Sequence, residues 1–413
     1  MEKLLILKSV AATETFRGGP GPKPAAGTAR LKAQTMELEV VDASPDALRN
    51  AERDEAIQAY GRAMPLKLIA PRKASKAASR QQIEAAVLAG RSWGVEAVCG
   101  PNPGYDGSGV IVAVLDTGIN REHAAFNDPE LEIVEQDFTG TGNGDTDGHG
   151  THCAATIFGR KVNGVRIGVA PGIRKALIGK VIGGSAGTAA LLEGFQWALS
   201  SGANVISMSL GFDFPRYREW LVEKGYAAEA ATSQALETFM DNIRLFDALL
   251  EMNRRQQSIG RSAVVVAAAG NESGRDAAKP YVIQRSSPSA AIGVISVGAV
   301  MEADDGLTVA PFSNTNPTLV GPGVGIVSAG KVTKTRKDAL EAMDGTSMAC
   351  PHIAGLAALH WQAAASHDRT AEKVADRVRR SCSRDRISYE EATIPDIGEG
   401  LALAPVKKPA TPR

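Results

Sequence analysis

The feature that most constrains this chain is a series of five apolar runs, each about as long as a β-strand. They cover residues 110–115, 175–183, 203–210, 263–269 and 291–300. Most show little apolar–polar alternation, which is typical of parallel strands that are buried on both faces. Helical stretches such as 187–202 lie between them. Alternating strands and helices predict an α/β domain with a mostly parallel central sheet.

Composition excludes several classes of function. Lysine plus arginine and aspartate plus glutamate each total 46 in 413 residues, so no net charge attracts nucleic acid or a membrane surface. No apolar run approaches the roughly 20 residues that span a bilayer. The apolar stretch at 4–7 is too short for a signal peptide and predicts a strand. Four cysteines do not form a disulfide framework, which predicts a cytoplasmic protein with free thiols, with one or two disulfides as the alternative.

Residues 1–86 form a first predicted unit of mixed α+β structure. Its expected elements are strands at 4–8, 36–41 and 64–71 and a helix within 44–63. Ser44 is a candidate N-cap for that helix and Pro45 suits its first position. The loop "RGGPGPKPAAG" separates the first two strands, and a basic linker follows at 72–80.

The segment 212–260 interrupts the alternation of strands and helices. It is polar and rich in helix formers, with a stripe of large apolar residues at Phe239, Ile243, Phe246 and Leu250. Such spacing predicts a helix whose apolar face packs on the core. A lid or a partner-binding helix pair is the alternative.

Polar groups follow two of the predicted strands directly. "VIVAVLDTGI" leads into Asp116, and "VVVAAAGNE" leads into Asn271. A carboxylate at a strand end needs hydrogen-bond partners, and an asparagine amide there can stabilise an oxyanion. A turn-capping role is the alternative for each. An aspartic-protease site would need a second DTG or DSG motif, which the sequence lacks.

"DTDGHGTHCAATIFG" places His149 between two glycines at the start of a predicted helix. The glycines allow another segment to approach the imidazole closely. Metal binding by His149, His152 and Cys153 is the alternative, although the spacing matches no HExxH or CxxC pattern and no fourth ligand is evident. The loop "GNGDTDG" at 142–148 is either oxygen-rich enough for calcium or a simple turn.

"MDGTSMACPHIAG" places Ser347 near the start of a helix whose first turn is expected to contain Pro351. A hydroxyl there usually caps the helix, and it becomes a nucleophile only when a base removes its proton. Together, Asp116, His149, Asn271 and Ser347 supply an orienting acid, a general base, an oxyanion donor and a nucleophile.

At these residues the sequence resembles the subtilisin-like serine peptidases (subtilases, peptidase family S8). "VAVLDTGI", "GHGTHCA", "SMSLG", "AAAGNE" and "GTSMACPH" follow the order Asp, His, Ser of that family, and the resemblance covers about 93–403. It implies a three-layer α/β peptidase domain at 87–404, with the helical insertion at 212–260 and a disordered tail at 405–413. The alternative is a catalytically occluded, subtilase-like binding or regulatory protein.

The resemblance also assigns roles to individual residues. Asp116 would orient His149, His149 would deprotonate Ser347, and the Asn271 side chain and Ser347 N–H would hold the oxyanion. Two backbone segments would flank an extended polypeptide substrate: Ser209, Leu210 and Gly211, and Ala268, Ala269 and Gly270. No metal ligand or cofactor is assigned. The resemblance leaves room for structural calcium, but it assigns no residues of this sequence to a calcium site.

Residues 1–86 resemble a subtilase propeptide more loosely, which implies that this unit inhibits its own peptidase domain in a zymogen. "RSWGVEAV" resembles the start of a mature enzyme. The basic linker and this resemblance predict self-cleavage between about Ala85 and Trp93.

Overall fold

A computed structural model of the chain describes residues 2–11, 34–72, 76–101, 104–184, 187–333, 335–388 and 393–407. Its strands are β1 (Lys3–Ala11), β2 (Gln34–Asp42), β3 (Ile57–Arg62), β4 (Leu66–Leu68), β5 (Ile111–Asp116), β6 (Glu132–Asp137), β7 (Lys175–Lys180), β8 (Val205–Met208), β9 (Leu210–Phe212), β10 (Val264–Ala268), β11 (Val294–Ala303), β12 (Gly306–Val309), β13 (Leu319–Pro322), β14 (Ile326–Ala329) and β15 (Leu340–Met343). Its helices are α1 (Pro45–Arg53), α2 (Lys76–Ala89), α3 (Trp93–Cys99), α4 (His149–Phe158), α5 (Thr188–Ser200), α6 (Phe214–Glu223), α7 (Ala228–Arg255), α8 (Thr346–Ala363), α9 (Ala371–Arg380) and α10 (Ile394–Ile397). In the part of the chain described, no helix combines the length and hydropathy needed to cross a membrane.

The central sheet confirms the predicted α/β architecture. Its strand order is β12-β11-β10-β8-β5-β7-β6, and β13 also pairs with β11. Each pair in it is parallel except β11 with β12. The chain places β6 and β7 on one side of β5 and then β8, β10 and β11 on the other. Binding sites of open α/β sheets form at such a switch point, outside the carboxyl ends of the strands.

Helices cover both faces of this sheet and complete three layers. On one face, α8 packs across β8, β10, β11 and β13, and α4 packs on β5. On the other face, α5 packs on β5 and β7 and contacts α7. The buried rings of Phe195 in α5 and Phe246 in α7 meet edge to face, with centroids 5.4 Å apart.

The insertion at 212–260 folds as α6 and α7, and its apolar stripe faces the core as predicted. Phe246 and Leu250 are buried, while Phe239 and Ile243 are partly buried against the same cluster. α7 also packs along β3 near the N-terminus. The long helix is therefore an integral part of the second layer.

The N-terminal sheet has the antiparallel order β2-β1-β3 and is covered on both faces. Leu4 and Ile6 pack towards α1 with Ala51, whereas Leu5 and Leu7 join the cluster of α5 and α7. Successive apolar residues are needed here because neither face of β1 is exposed to water.

The predicted helix within 44–63 is correct only in its first half. Ser44 caps α1 by accepting from the Ala47 N–H at 3.1 Å, but the helix ends at Arg53. Residues 57–62 instead form β3, because Ala59 and Gly61 alternate into the interior. A Cβ on Gly61 would lie 2.5 Å from Asp241 Cβ, so its close packing against α7 requires glycine.

The strand predicted at 64–71 is shorter and lies elsewhere than expected. Only Leu66–Leu68 is a strand, and it pairs antiparallel with β9 rather than with the N-terminal sheet. The predicted loop at 17–27 lies outside the described residues, as do residues 408–413 of the predicted tail.

Because Phe246 is buried against Phe195 of α5, Phe246→Ala should lower the free energy of unfolding by about 3–5 kcal/mol. Leu236→Ala on the exposed side of α7 is the matched control, with an expected change within about 0.5 kcal/mol. Chemical denaturation measures both. Equal small effects would show that α7 is a loosely held lid.

Candidate functional site

Three neighbouring strands end at one edge of the central sheet, and each delivers a predicted site residue there. Asp116 is the last residue of β5, Ser209 follows β8, and Asn271 lies three residues beyond β10. The order β10-β8-β5 makes these strands adjacent, and all run parallel. Parallelism therefore gathers residues that are up to 155 positions apart in the sequence.

Asp116 and His149 form a buried pair. His149 begins α4, and its Nδ1 lies 2.8 Å from Asp116 Oδ1. The same carboxylate oxygen accepts from the Thr117 N–H at 2.7 Å. Burial lowers the pKa of His149, but the adjacent Asp116 carboxylate outweighs it and holds the pKa well above its usual value. The carboxylate thus fixes the ring orientation and favours the imidazolium.

The loop at 142–148 acts as a turn that holds the start of α4. Asp145 accepts from the N–H groups of Gly148 at 2.8 Å and Thr151 at 2.9 Å, and from Thr117 Oγ1 at 3.0 Å. A Cβ on Gly150 would lie 2.2 Å from the Gly118 carbonyl oxygen. The glycine beside His149 therefore admits the loop that follows Asp116.

The structure does not bring His149, His152 and Cys153, the residues of the metal alternative, together as one ligand group. His152 Nε2 donates to the Ile326 carbonyl at 3.0 Å, and burial lowers the pKa of His152 to about 3. Cys153 Sγ lies 3.8 Å from His149 Nδ1, in a group with Asp116 whose ligand atoms are within 4.8 Å of one another. Burial raises the pKa of Cys153, and a protonated thiol is a poor metal ligand.

Ser347 is the second residue of α8 and is fully buried. Its hydroxyl donates to the carbonyl oxygen of Ile69, and no hydrogen bond among the described residues joins it to His149. Pro351 is the sixth residue of α8, not in the first turn as expected, so it withholds the N–H that would bond to the Ser347 carbonyl. That carbonyl instead accepts from Ser209 Oγ at 3.3 Å and Cys153 Sγ at 3.4 Å.

Asn271 is oriented by Thr346, a residue that the sequence analysis did not single out. Asn271 Oδ1 accepts from the Thr346 N–H at 2.9 Å and from Thr346 Oγ1 at 2.8 Å. The Nδ2 group is thereby directed outward and donates to the Ala70 carbonyl at 3.0 Å. A hydroxyl residue immediately before Ser347 was the sequence signal for this support.

The first predicted substrate segment is occupied by residues of the same chain. β4 pairs with β9, with Lys67 opposite Gly211, and the Ile69 N–H donates to the Ser209 carbonyl at 3.2 Å. Beyond Pro71, the Arg72 N–H donates to the Asp344 carbonyl at 2.7 Å. Residues 66–72 thus form an extended segment that passes Ser347 and Asn271.

The second predicted segment, Ala268, Ala269 and Gly270, bonds to the protein itself. The Ala269 N–H donates to Val297, its carbonyl accepts from Ser286, and the Gly270 N–H donates to Thr346 Oγ1. The described residues show no hydrogen bond from it to 66–72, so its contact with substrate stays a prediction.

Cys350 and His352, which follow Ser347 closely in the sequence, are packed residues of α8. Both are fully buried, and His352 Nδ1 donates to the Met348 carbonyl at 2.7 Å. Burial raises the pKa of Cys350 to about 12 and lowers that of His352 to about 4. All four cysteines are free thiols.

A buried Asp–His pair and a helix-borne serine at the edge of a parallel sheet are groups that serine hydrolases use. A family model described as "Subtilase family" matches residues 107–392. The chain therefore belongs to the subtilase family.

Named relatives agree with this assignment. A "Cuticle-degrading serine protease" of Arthrobotrys oligospora is 34% identical over 62% of this chain and 52% of its own length. "Subtilisin-like protease 3" of Pseudogymnoascus destructans is 30% identical over 74% of this chain and 70% of its own length. The chain thus spans about half of the first relative. The structure of fervidolysin from Fervidobacterium pennivorans covers 98% of this chain with a TM-score of 0.63, and 60% of that structure is matched. At 20% identity, it shows the fold alone.

Asp116→Asn should lower the pKa of His149, since the attraction of the carboxylate for the imidazolium is lost. In the parent, this pair contributes stability that is complete below the ordinary histidine pKa of about 6.5 and is lost as pH rises through the raised value. NMR titration of the imidazole nitrogens measures the shift. Asp147→Asn is the control, because Asp147 contacts the backbone N–H of His149 and not its ring. Unchanged titration in Asp116→Asn would contradict the electrostatic account.

Proposed function

We propose that the chain is a serine endopeptidase that hydrolyses peptide bonds through an acyl-enzyme intermediate. One observation supports this best: Ser347 Oγ and Asn271 Nδ2 reach consecutive carbonyl groups of an extended peptide segment. In the proposed mechanism, neutral His149 removes the Ser347 proton and Asp116 orients the ring. The Asn271 amide and the Ser347 N–H stabilise the oxyanion as Ser347 Oγ attacks.

The substrate is proposed to be a polypeptide bound as an added strand on the segment 209–211. The antiparallel pairing of β4 with β9 shows that this edge accepts a strand. By analogy with the bound segment, Ile69 marks the P1 position, since its N–H bonds to Ser209 and its carbonyl lies at Ser347.

The N-terminal residues are further proposed to inhibit the site. Attack requires the oxyanion donors and the nucleophile to act on one carbonyl. Here the Ser347 hydroxyl donates to the oxygen of Ile69, while the Asn271 amide is used by the next carbonyl, that of Ala70. The segment 66–72 therefore fills the cleft in a non-productive alignment.

The N-terminal residues that precede the segment 66–72 are anchored to the insertion at 212–260, away from Ser347. Asn242 Nδ2 in α7 donates to the Arg62 carbonyl at 2.7 Å, and the Tyr217 hydroxyl in α6 donates to Glu2 at 3.1 Å. These contacts support a docking role for the insertion at 212–260. By holding the N-terminal sheet, the insertion raises the effective concentration of 66–72 at the cleft.

Self-cleavage was predicted between about Ala85 and Trp93, but the structure favours a different peptide bond as the candidate. Residues 76–89 form α2, which packs against β14 and β15. The carbonyl that the Ser347 hydroxyl contacts instead belongs to the peptide bond between Ile69 and Ala70. Self-cleavage is proposed at this peptide bond, after the segment 66–72 leaves its non-productive alignment.

The four free thiols support the further proposal of a cytoplasmic location.

A catalytically occluded binding or regulatory protein is the second candidate, because the cleft is filled by the chain itself. The two functions differ in whether opening the cleft produces turnover.

Ser347→Ala should reduce kcat by about 10⁶-fold, the size of the loss known in subtilisin. Asn271→Ala should reduce kcat by about 10²–10³-fold, because one oxyanion donor is lost while the nucleophile remains. Peptide hydrolysis kinetics measure both. Wild-type turnover by Ser347→Ala would refute the mechanism.

Ile69→Asp should raise peptidase activity of the full chain at least about tenfold, since a carboxylate is disfavoured at this buried position. The matched control is Ile292→Asp, whose side chain is exposed. Initial rates on a fluorogenic peptide measure the effect. A folded Ile69→Asp chain with no activity would favour the occluded binding protein.

A further inference from the structure

Lys67 forms an ion pair that has no part in the proposed hydrolysis. It lies two residues before Ile69, and its Nζ is 2.6 Å from Glu272 Oε1. The side chain extends past Gly211, where a built Cβ would lie 3.7 Å from Lys67 Cε. Glu272 directly follows Asn271. The pair therefore links the bound segment to the strand end that also provides the proposed oxyanion donor.

The Glu272 carboxylate is held in place from the protein side. Its Oε2 accepts from Asn314 Nδ2 at 2.7 Å, and Asn314 is fully buried. Asn314 Oδ1 in turn accepts from the Glu272 N–H at 3.0 Å. Burial raises the pKa of Glu272, but Lys67 and then Asn314 lower it to a net value below the ordinary one. The group is thus a pre-oriented carboxylate at neutral pH.

Among the described residues, Lys67 is the only cation that forms an ion pair with Glu272. When the segment 66–72 leaves the cleft, this carboxylate loses its counter-charge while Asn314 still fixes its position. A substrate that offers an ammonium group at the same place restores the pair. One with a carboxylate there meets like charge.

We propose that Glu272 gives the cleft a preference for polypeptides with lysine at P3, two residues before the attacked carbonyl. This specificity rests on the proposed peptidase function and adds a substrate class to it. The partners are about one-third exposed, at 30% for Lys67 and 35% for Glu272. Solvent screening therefore makes the preference moderate, about 5- to 10-fold in kcat/KM.

The test uses full-length Ile69→Asp chain and fluorogenic peptides Leu-X-Leu-Ile that differ only at X. With X as lysine, kcat/KM should exceed that with glutamine by about 5- to 10-fold, and glutamate should be the poorest. Raising the salt concentration should reduce the ratio, because the pair is partly exposed. Equal rates for lysine, glutamine and glutamate would overturn the specificity while leaving the peptidase function intact.

Glu272→Gln in the same background provides the second arm. Glutamine keeps an oxygen that can accept from Asn314 but removes the charge, so the lysine-to-glutamine ratio should fall to about one. Glu132→Gln is the matched control, because Glu132 pairs with Lys175 at 2.9 Å on the strands β6 and β7. A retained lysine preference in Glu272→Gln would overturn the assignment to Glu272. No hydrolysis of any peptide, with no fluorophosphonate labelling, would overturn the peptidase function and this inference together.

Discussion

The structure depends on one geometric constraint: parallel strands present their carboxyl ends at the same edge of a sheet. β5, β8 and β10 are neighbours, so Asp116, Ser209 and Asn271 are brought to one place. α4 and α8 then begin beside that edge with His149 and Ser347 near their first turns. Loops alone would not hold such groups with comparable precision.

The site is stabilised by hydrogen bonds to the side chain of Asn271 and to the backbone of Ser347. Thr346 orients the Asn271 amide, and Ser209 and Cys153 bond to the Ser347 carbonyl that Pro351 leaves free. The two bonds to the Ser347 carbonyl are buried, so loss of both donors would leave a buried acceptor unsatisfied.

Sequence periodicity predicted the central sheet because buried parallel strands need apolar residues on both faces. The positions of Asp116, His149, Asn271 and Ser347 were predictable because each follows a strand or lies at the start of a helix within a recognisable motif. The proposed roles themselves remain predictions, although the positions agree with them.

Elements that depend on distant partners were harder to predict. β3 has helix-forming neighbours, and it becomes a strand because β1 and α7 enclose it. β4 is three residues long and pairs with β9 more than 140 positions away. The contact of Lys67 with Glu272 likewise spans 205 positions, so no local pattern reveals it. Long-range pairing of short segments is where local reasoning fails.

Covalent labelling tests the central claim most directly: that the strand ends create an activated serine beneath a removable segment of the same chain. A fluorophosphonate probe would be added to the Ile69→Asp chain across a range of pH, and the adduct mapped by mass spectrometry. The account predicts one adduct, on Ser347, forming faster as His149 loses its proton. No adduct, or labelling that persists when Ser347 is replaced by alanine, would contradict it.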